Sequence, residues 1–215
     1  GHIRGAVGTG TWSAGGAMIT GRVFVAAAGM QNAALTFGSK TAPQVLTEEY
    51  NGSTWAAGGA LGTARGYMGG VGSQNAALAS AGHPAVSCTE LYNGTSWAVG
   101  GVQNQTKAYT SAAGTQNAAV AIGGVSPAVT SGATEEYNGT AWTAVTAMIQ
   151  GRAELASTGL QNAALTFGGS TPSTVACTEE YNGSTWAVGG ALIIADKSGA
   201  GAGTQNAALS ISGDK

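Results

Sequence analysis

The sequence predicts an all-β fold, a five-bladed β-propeller with four antiparallel strands per blade, spanning residues 1–215 as a single domain. Three observations lead there. Tryptophan recurs at Trp12, Trp55, Trp97, Trp142 and Trp186, at spacings of 43, 42, 45 and 44 residues, and a Gln-Asn-Ala-Ala string recurs at Gln31, Gln74, Gln116, Gln161 and Gln205 at the same spacings. A fixed period of this size marks a solenoid, a propeller or an array. Each period holds four short runs broken by turn residues, and no segment sustains a 3.6-residue apolar period, so strands are expected rather than helices.

The elements follow in order within the first complete repeat. "RVFVAAAG" from Arg22 leads to the turn "MQN", and "AALTFGS" leads to a loop containing Pro43. "LTEEY" then meets the turn "NGS", and "TWAAGGAL" closes the unit. Asn-Gly between short runs is a hairpin signal, because both central residues of a type I′ turn need positive φ. It occurs at Asn51, Asn93, Asn138 and Asn182. The first runs are rich in Ala and Gly ("VAAAG", "MGGVG", "TSAAG", "LASTG", "GAGAG"), and Gly makes up 37 of 215 residues. Strands converging on one axis need small side chains, and glycine within a strand marks close backbone approach.

The first strand pair occurs five times, beginning near Arg22, Arg65, Lys107, Arg152 and Lys197, and the second pair has four full copies. The missing pair is expected from the N-terminus, where "IRGAVGTGTWSAGGAM" puts Trp12 in register and Val7 where the other repeats have Tyr. The expected closing blade therefore combines two N-terminal and two C-terminal strands, which removes the open edges that invite strand pairing.

Composition narrows the function classes. The formal net charge is −2 with no basic run, so a nucleic-acid partner is not expected. No apolar run approaches 18 residues, so membrane insertion is not expected either, and no signal peptide is visible. Gly1-His2 reads as a cleavage scar. Cys88 and Cys177 hold equivalent positions two blades apart. Strand spacing puts them on the order of 20–30 Å from each other, too far for a disulfide, so two free buried thiols are expected.

Gly-Gly after the second strand, Tyr in the third and Trp in the fourth, as in Phe167–Gly169, Tyr181 and Trp186 with Arg152 opening the unit, resemble a kelch repeat. The resemblance covers essentially the whole chain. It departs in its shorter period and in the absence of Gly-Gly at Ser80-Ala81 and Ser212-Gly213. The phrasing is similar to short kelch-like repeats in virion structural and tail proteins of marine tailed phages. That resemblance implies a noncatalytic binding, adhesion or structural role on a virion or in an extracellular setting, with a host-surface glycan or another virion protein as partner. It implies no catalytic residues.

The residues themselves agree with a non-enzyme. A copper oxidase site would need several His and Tyr ligands, and the chain has only His2 and His83. No Ser-His-Asp set is plausible with one credible His, no Asp-rich loop suits calcium, and no phosphate loop is present. No cofactor or metal is expected, and a monomer is. The recurring Tyr and Trp read as inter-blade core in preference to a sugar platform. Glu48, Glu90, Glu135 and Glu179, two residues before each Tyr position, read as partners of the basic residue opening each repeat in preference to acid–base pairs. The Asn-x-Ser/Thr sequons, Asn104 among them, read chiefly as turn chemistry.

A ligand is expected where the copies stop agreeing. The loops between second and third strands vary, and the position two residues after each basic residue diverges to Phe24, Tyr67, Tyr109, Glu154 and Ser198. The expected ligand-binding residues are Arg22, Phe24, Arg65, Tyr67, Lys107, Tyr109, Arg152, Glu154, Lys197 and His83, ringing the mouth on the loop face. Basic groups beside aromatic rings suit an acidic glycan or a carboxylate-bearing partner. Two other readings stand beside this one, a structural scaffold with no small ligand and a lectin-like propeller.

Overall fold

Each complete repeat folds into one four-stranded antiparallel sheet. The structure is a computed structural model and describes residues 11–42, 44–126, 128–211 and 213. The first sheet joins β1 (Ala26–Met30), β2 (Ala33–Phe37), β3 (Thr47–Tyr50) and β4 (Trp55–Ala57) in chain order. The second joins β5 (Gly69–Ser73), β6 (Ala76–Ser80), β7 (Thr89–Tyr92) and β8 (Trp97–Val99). The third joins β9 (Ser111–Thr115), β10 (Ala118–Ile122), β11 (Thr134–Tyr137) and β12 (Trp142–Val145). The fourth joins β13 (Ala156–Leu160), β14 (Ala163–Phe167), β15 (Thr178–Tyr181) and β16 (Trp186–Val188). The last two strands, β17 (Ala200–Thr204) and β18 (Ala207–Ile211), pair only with each other.

The architecture is thus an all-β propeller arrangement of four complete blades and a fifth, two-stranded sheet. This corrects the expectation of five complete blades. The first strands pack side by side in the order β1, β5, β9, β13, β17, but no comparable contact joins β17 back to β1. The expected third strand of a closing blade, around Val7, lies outside the described residues. Residues 11–22 are described and form no strand, and Trp12 is 82% exposed. Without an outer pair, β18 is exposed along its whole length, whereas its counterpart β14 is buried over four of its five residues.

Glycine on the inner strands answers to a specific contact. A Cβ on Gly70 would stand 2.8 Å from both the Ala26 Cβ and the Phe37 ring of the preceding blade. Gly201 meets the ring of Phe167 in the same way, at 2.9 Å. The large residue that fills the core of one blade therefore sets the small residue on the inner strand of the next.

The Asn-Gly turns differ from the expected type I′ in a definable way. Of the two residues only the glycine has positive φ, 94° at Gly52 and 88° at Gly183. The asparagine carbonyl bends the chain instead. Asn51 Oδ1 accepts hydrogen bonds from the amides of Ser53 (3.0 Å) and Thr54 (2.9 Å), and Asn93, Asn138 and Asn182 repeat the arrangement. This is the Asx turn that asparagine makes when its side chain substitutes for a backbone acceptor.

The recurring glutamine joins neighbouring blades. In the tight turn between first and second strands, Gln74 Nε2 donates to the carbonyls of Ala34 (3.0 Å) and Tyr50 (2.7 Å), which belong to two strands of the preceding blade. Gln116, Gln161 and Gln205 do the same one blade further on each time. The aromatic pairs belong to the same joints. Tyr92 stacks near Trp97, and the Nε1 of Trp97 donates to Thr47 Oγ1 of the blade before at 2.9 Å. Trp142 donates to Thr89 Oγ1 at 2.8 Å. In the second, third and fourth blades these residues have the inter-blade role expected of them.

Candidate functional site

Each of the four complete repeats begins with a buried ion pair. The side chains of Arg22 and Glu48 lie 3.0 Å apart, those of Lys107 and Glu135 3.2 Å, and those of Arg152 and Glu179 3.3 Å, while Arg65 pairs still more closely with Glu90. Each carboxylate also accepts a backbone amide from the incoming segment, from Ile19, Gly62, Asn104 and Ile149 in turn, at 2.6–2.7 Å. Burial pushes the Lys107 ammonium and the Arg22 guanidinium below their ordinary values, against the opposing pull of their glutamates. A buried pair of this kind holds together because removing one partner strands the other charge.

Four basic residues expected at the mouth are therefore inside the wall. Arg22, Arg65, Lys107 and Arg152 have side chains 0–1% exposed and engaged by glutamate, so their charges do not face a ligand. Lys197 differs. Its own repeat supplies no third-strand glutamate among the described residues, and its ammonium lies 3.4 Å from Glu154 of the preceding repeat, with both side chains partly exposed.

The divergent positions do meet. Phe24, Tyr67, Tyr109, Glu154 and Ser198 all have left-handed backbone, with φ between 50° and 57°. Their amides form a chain of hydrogen bonds from copy to copy. Tyr67 donates to Phe24 (3.1 Å), Tyr109 to Tyr67 (3.1 Å), Glu154 to Tyr109 (3.0 Å) and Ser198 to Glu154 (2.7 Å). All five residues line one central cavity of about 230 Å³, whose deeper wall is made by small inner-strand residues such as Ala26, Gly70, Ala112, Ala156 and Gly201.

The rim has an aromatic arc and a polar arc. Phe24 stacks on Tyr67 with centroids 4.0 Å apart, Tyr67 lies 4.3 Å from Tyr109, and His83, exposed on its loop, lies 5.6 Å from Tyr109. Glu154 and Ser198 complete the lining of the mouth, and Lys197 lies behind them in a recess shared with Glu154 and Asp196. No protein-family model matches the chain, and the search of curated proteins found no match.

One residue at the rim escaped the sequence reading. The ammonium of Lys40 lies 5.5 Å from the centroid of Phe24 and 5.4 Å from that of Tyr67. Its signal was present, since it stands in the first of the variable loops and is a basic residue outside the repeating frame. Cys88 and Cys177 are unpaired, as expected, but half-buried rather than buried.

Proposed function

We propose that the chain is a noncatalytic binding module whose ligand meets the mouth of the central cavity. We assign it to a particle surface, virion or extracellular, with a host-surface glycan or another virion protein as partner. The observation that carries the reading is the backbone at the mouth. Left-handed φ costs a residue with a side chain on the order of 1–2 kcal/mol. Glycine takes nearly every other positive-φ position described, with Ala81 the exception. At the five mouth positions the chain keeps Phe, Tyr, Tyr, Glu and Ser instead, and strain of this kind gathers where a side chain is needed. A scaffold without a ligand would be better served by glycine there. The kelch-like phrasing of the repeats supports the assignment to a particle.

A glycan array, or a pull-down from host envelope, identifies a ligand. Tyr67→Ala and Tyr109→Ala are expected to weaken its binding, and the opposite-face changes Ser53→Ala and Ser184→Ala to leave it intact. The reverse pattern rejects the mouth.

We also infer that the ring closes through a fifth blade made from both ends of the chain. Residues 16–22 already sit on the first blade as the equivalent segments sit on theirs. Ile19 donates to Glu48 as Gly62 does to Glu90, and Trp55 Nε1 donates to Gly16 O at 2.9 Å. On the other flank, Thr178 Oγ1 is buried without a partner among the described residues. Two of its three equivalents, Thr47 and Thr89, accept the indole N–H of the next blade, while Trp186 donates to the Thr146 carbonyl in place of Thr134; the corresponding indole for Thr178 is that of Trp12. Deleting residues 1–16 is expected to convert a monomer into strand-exchanged dimers or aggregates, read by light scattering. A truncated chain that stays monomeric with the same unfolding midpoint contradicts closure.

A further inference from the structure

We infer that the ligand at the mouth is a sugar bearing a carboxylate, and that Lys40 reads its charge; this rests on the mouth being the ligand site. Among the described residues, Arg22, Arg65, Lys107, Arg152 and Lys197 each have a carboxylate partner. Lys40 has none. It is exposed, and it is the one lysine or arginine described that is left without a counter-charge. Instead its ammonium rests over the rings of Phe24 and Tyr67.

An exposed ammonium over an aromatic ring is held weakly. A carboxylate offers it a charge-assisted hydrogen bond, which is stronger. Moving Lys40 onto an incoming carboxylate would therefore cost little and would uncover the Phe24–Tyr67 stack. The uncovered rings present an apolar surface for the C–H face of a pyranose, as aromatic side chains do for amphipathic ligands. Across the mouth, Glu154 and Ser198 offer an acceptor and a hydroxyl for the sugar's own hydroxyls. Glu154 does not repel the anion as a bare charge would, because Lys197 lies 3.4 Å from it. Lys197 shares its recess with both Glu154 and Asp196, so the uncompensated charge that an incoming acid meets at this rim is that of Lys40. A neutral sugar has no use for Lys40, and an acidic peptide has no use for the ring wall.

The test is an NMR titration of the full chain with glucuronic acid, N-acetylneuraminic acid, glucose, acetate and a glutamate-rich peptide. At least one sugar acid is expected to saturate the Tyr67 and Tyr109 ring signals, with glucose about tenfold weaker, the loss that follows from removing one charged hydrogen-bond partner, and acetate weaker as well because it has no ring to cover the aromatic stack. Lys40→Ala is expected to weaken the sugar acid by about tenfold and Lys40→Arg to restore it, because either cation can hold a carboxylate. Glucose binding as tightly as the acids, an unaffected Lys40→Ala variant, or tighter binding of the peptide overturns the ligand class. If Tyr67→Ala still weakens glucose or the peptide in such a case, the mouth survives as the site. If neither tyrosine matters to any probe that binds, or no probe binds at all, both proposals fall.

Discussion

The fourth blade and the fifth sheet begin with nearly the same words and end in different environments. β14 reads Ala-Ala-Leu-Thr-Phe and β18 reads Ala-Ala-Leu-Ser-Ile. Gln161 and Gln205 dock both hairpins on the preceding blade with the same pair of carbonyl contacts. Yet β14 is buried and β18 is exposed throughout. Ile149 gives its amide to Glu179, while Ile193, seven residues after its tryptophan as Ile149 is, stands fully exposed. The inner hairpin specifies docking to the blade before it. Burial comes from the outer pair of the same blade and from the glutamate that gathers the incoming chain.

The ion pairs give the largest expected contrast. Glu135→Ala strands Lys107 inside the third blade and is expected to cost about 3–5 kcal/mol, measured by urea unfolding. Glu154→Ala breaks a partly exposed pair at the fifth position and is expected to cost no more than about 1 kcal/mol. Equal costs would show that the two environments do not differ as the burial implies.

The tryptophans extend the contrast to packing. Trp142 is buried and bonded to Thr89, and Trp142→Ala is expected to cost about 3–5 kcal/mol. Trp12→Ala tests closure on the same scale. If Trp12 supplies the missing partner of Thr178, its loss costs at least about 1 kcal/mol, the worth of a buried hydrogen bond. A variant as stable as the parent leaves the fifth sheet two-stranded.

The glutamines give a smaller effect. Gln74→Ala removes two hydrogen bonds that tie the second blade to the first, and leaves the Ala34 and Tyr50 carbonyls without them. A loss of about 1–3 kcal/mol is expected in denaturant unfolding. Gln31 occupies the same turn of the first blade, but it is exposed and makes no such bridge among the described residues. Gln31→Ala is therefore expected to be near neutral in the described arrangement, and a cost equal to that of Gln74→Ala would place a closing blade beside it.

The fold was legible because period, turn residues and small inner strands are all local signals that repetition multiplies. The pairing of Arg22, Arg65, Lys107 and Arg152 with glutamate was also legible, as the competing reading of the same charges. What the sequence concealed was depth. A basic residue two positions before a rim residue points into the wall, and one residue type at one register can be core in a complete blade and surface at the fifth position. The role of Gln74 and its counterparts was concealed for a related reason, since a polar residue in a tight turn reads as solvent-facing until the neighbouring blade supplies two carbonyls. Lys40 was hidden because it repeats nowhere, and internal comparison weighs only what recurs.

The smallest effect is a titration confined to complete blades. Tyr92 is buried and donates to Glu49 of the blade before it at 2.5 Å, and burial, then the carboxylate, pushes its phenol up from 10.0 to about 12. The folded chain therefore holds this proton more tightly than the unfolded chain. The stabilisation is fully present below pH 10 and is lost as pH rises from about 10 to about 12. Burial and Glu136 raise Tyr181 in the same direction, through a contact of 2.9 Å. The third blade departs from the pattern, since Leu91 takes the place of the glutamate and packs in the same apolar cluster as Tyr137. Glu49→Gln keeps an acceptor and removes the charge, so it is expected to bring the ionisation of Tyr92 down toward its ordinary value without reaching it, because burial remains. Absorbance near the tyrosinate band, followed against pH in parent and variant, reads the shift. A variant that titrates as the parent does would leave the charge of Glu49 no part in the shift.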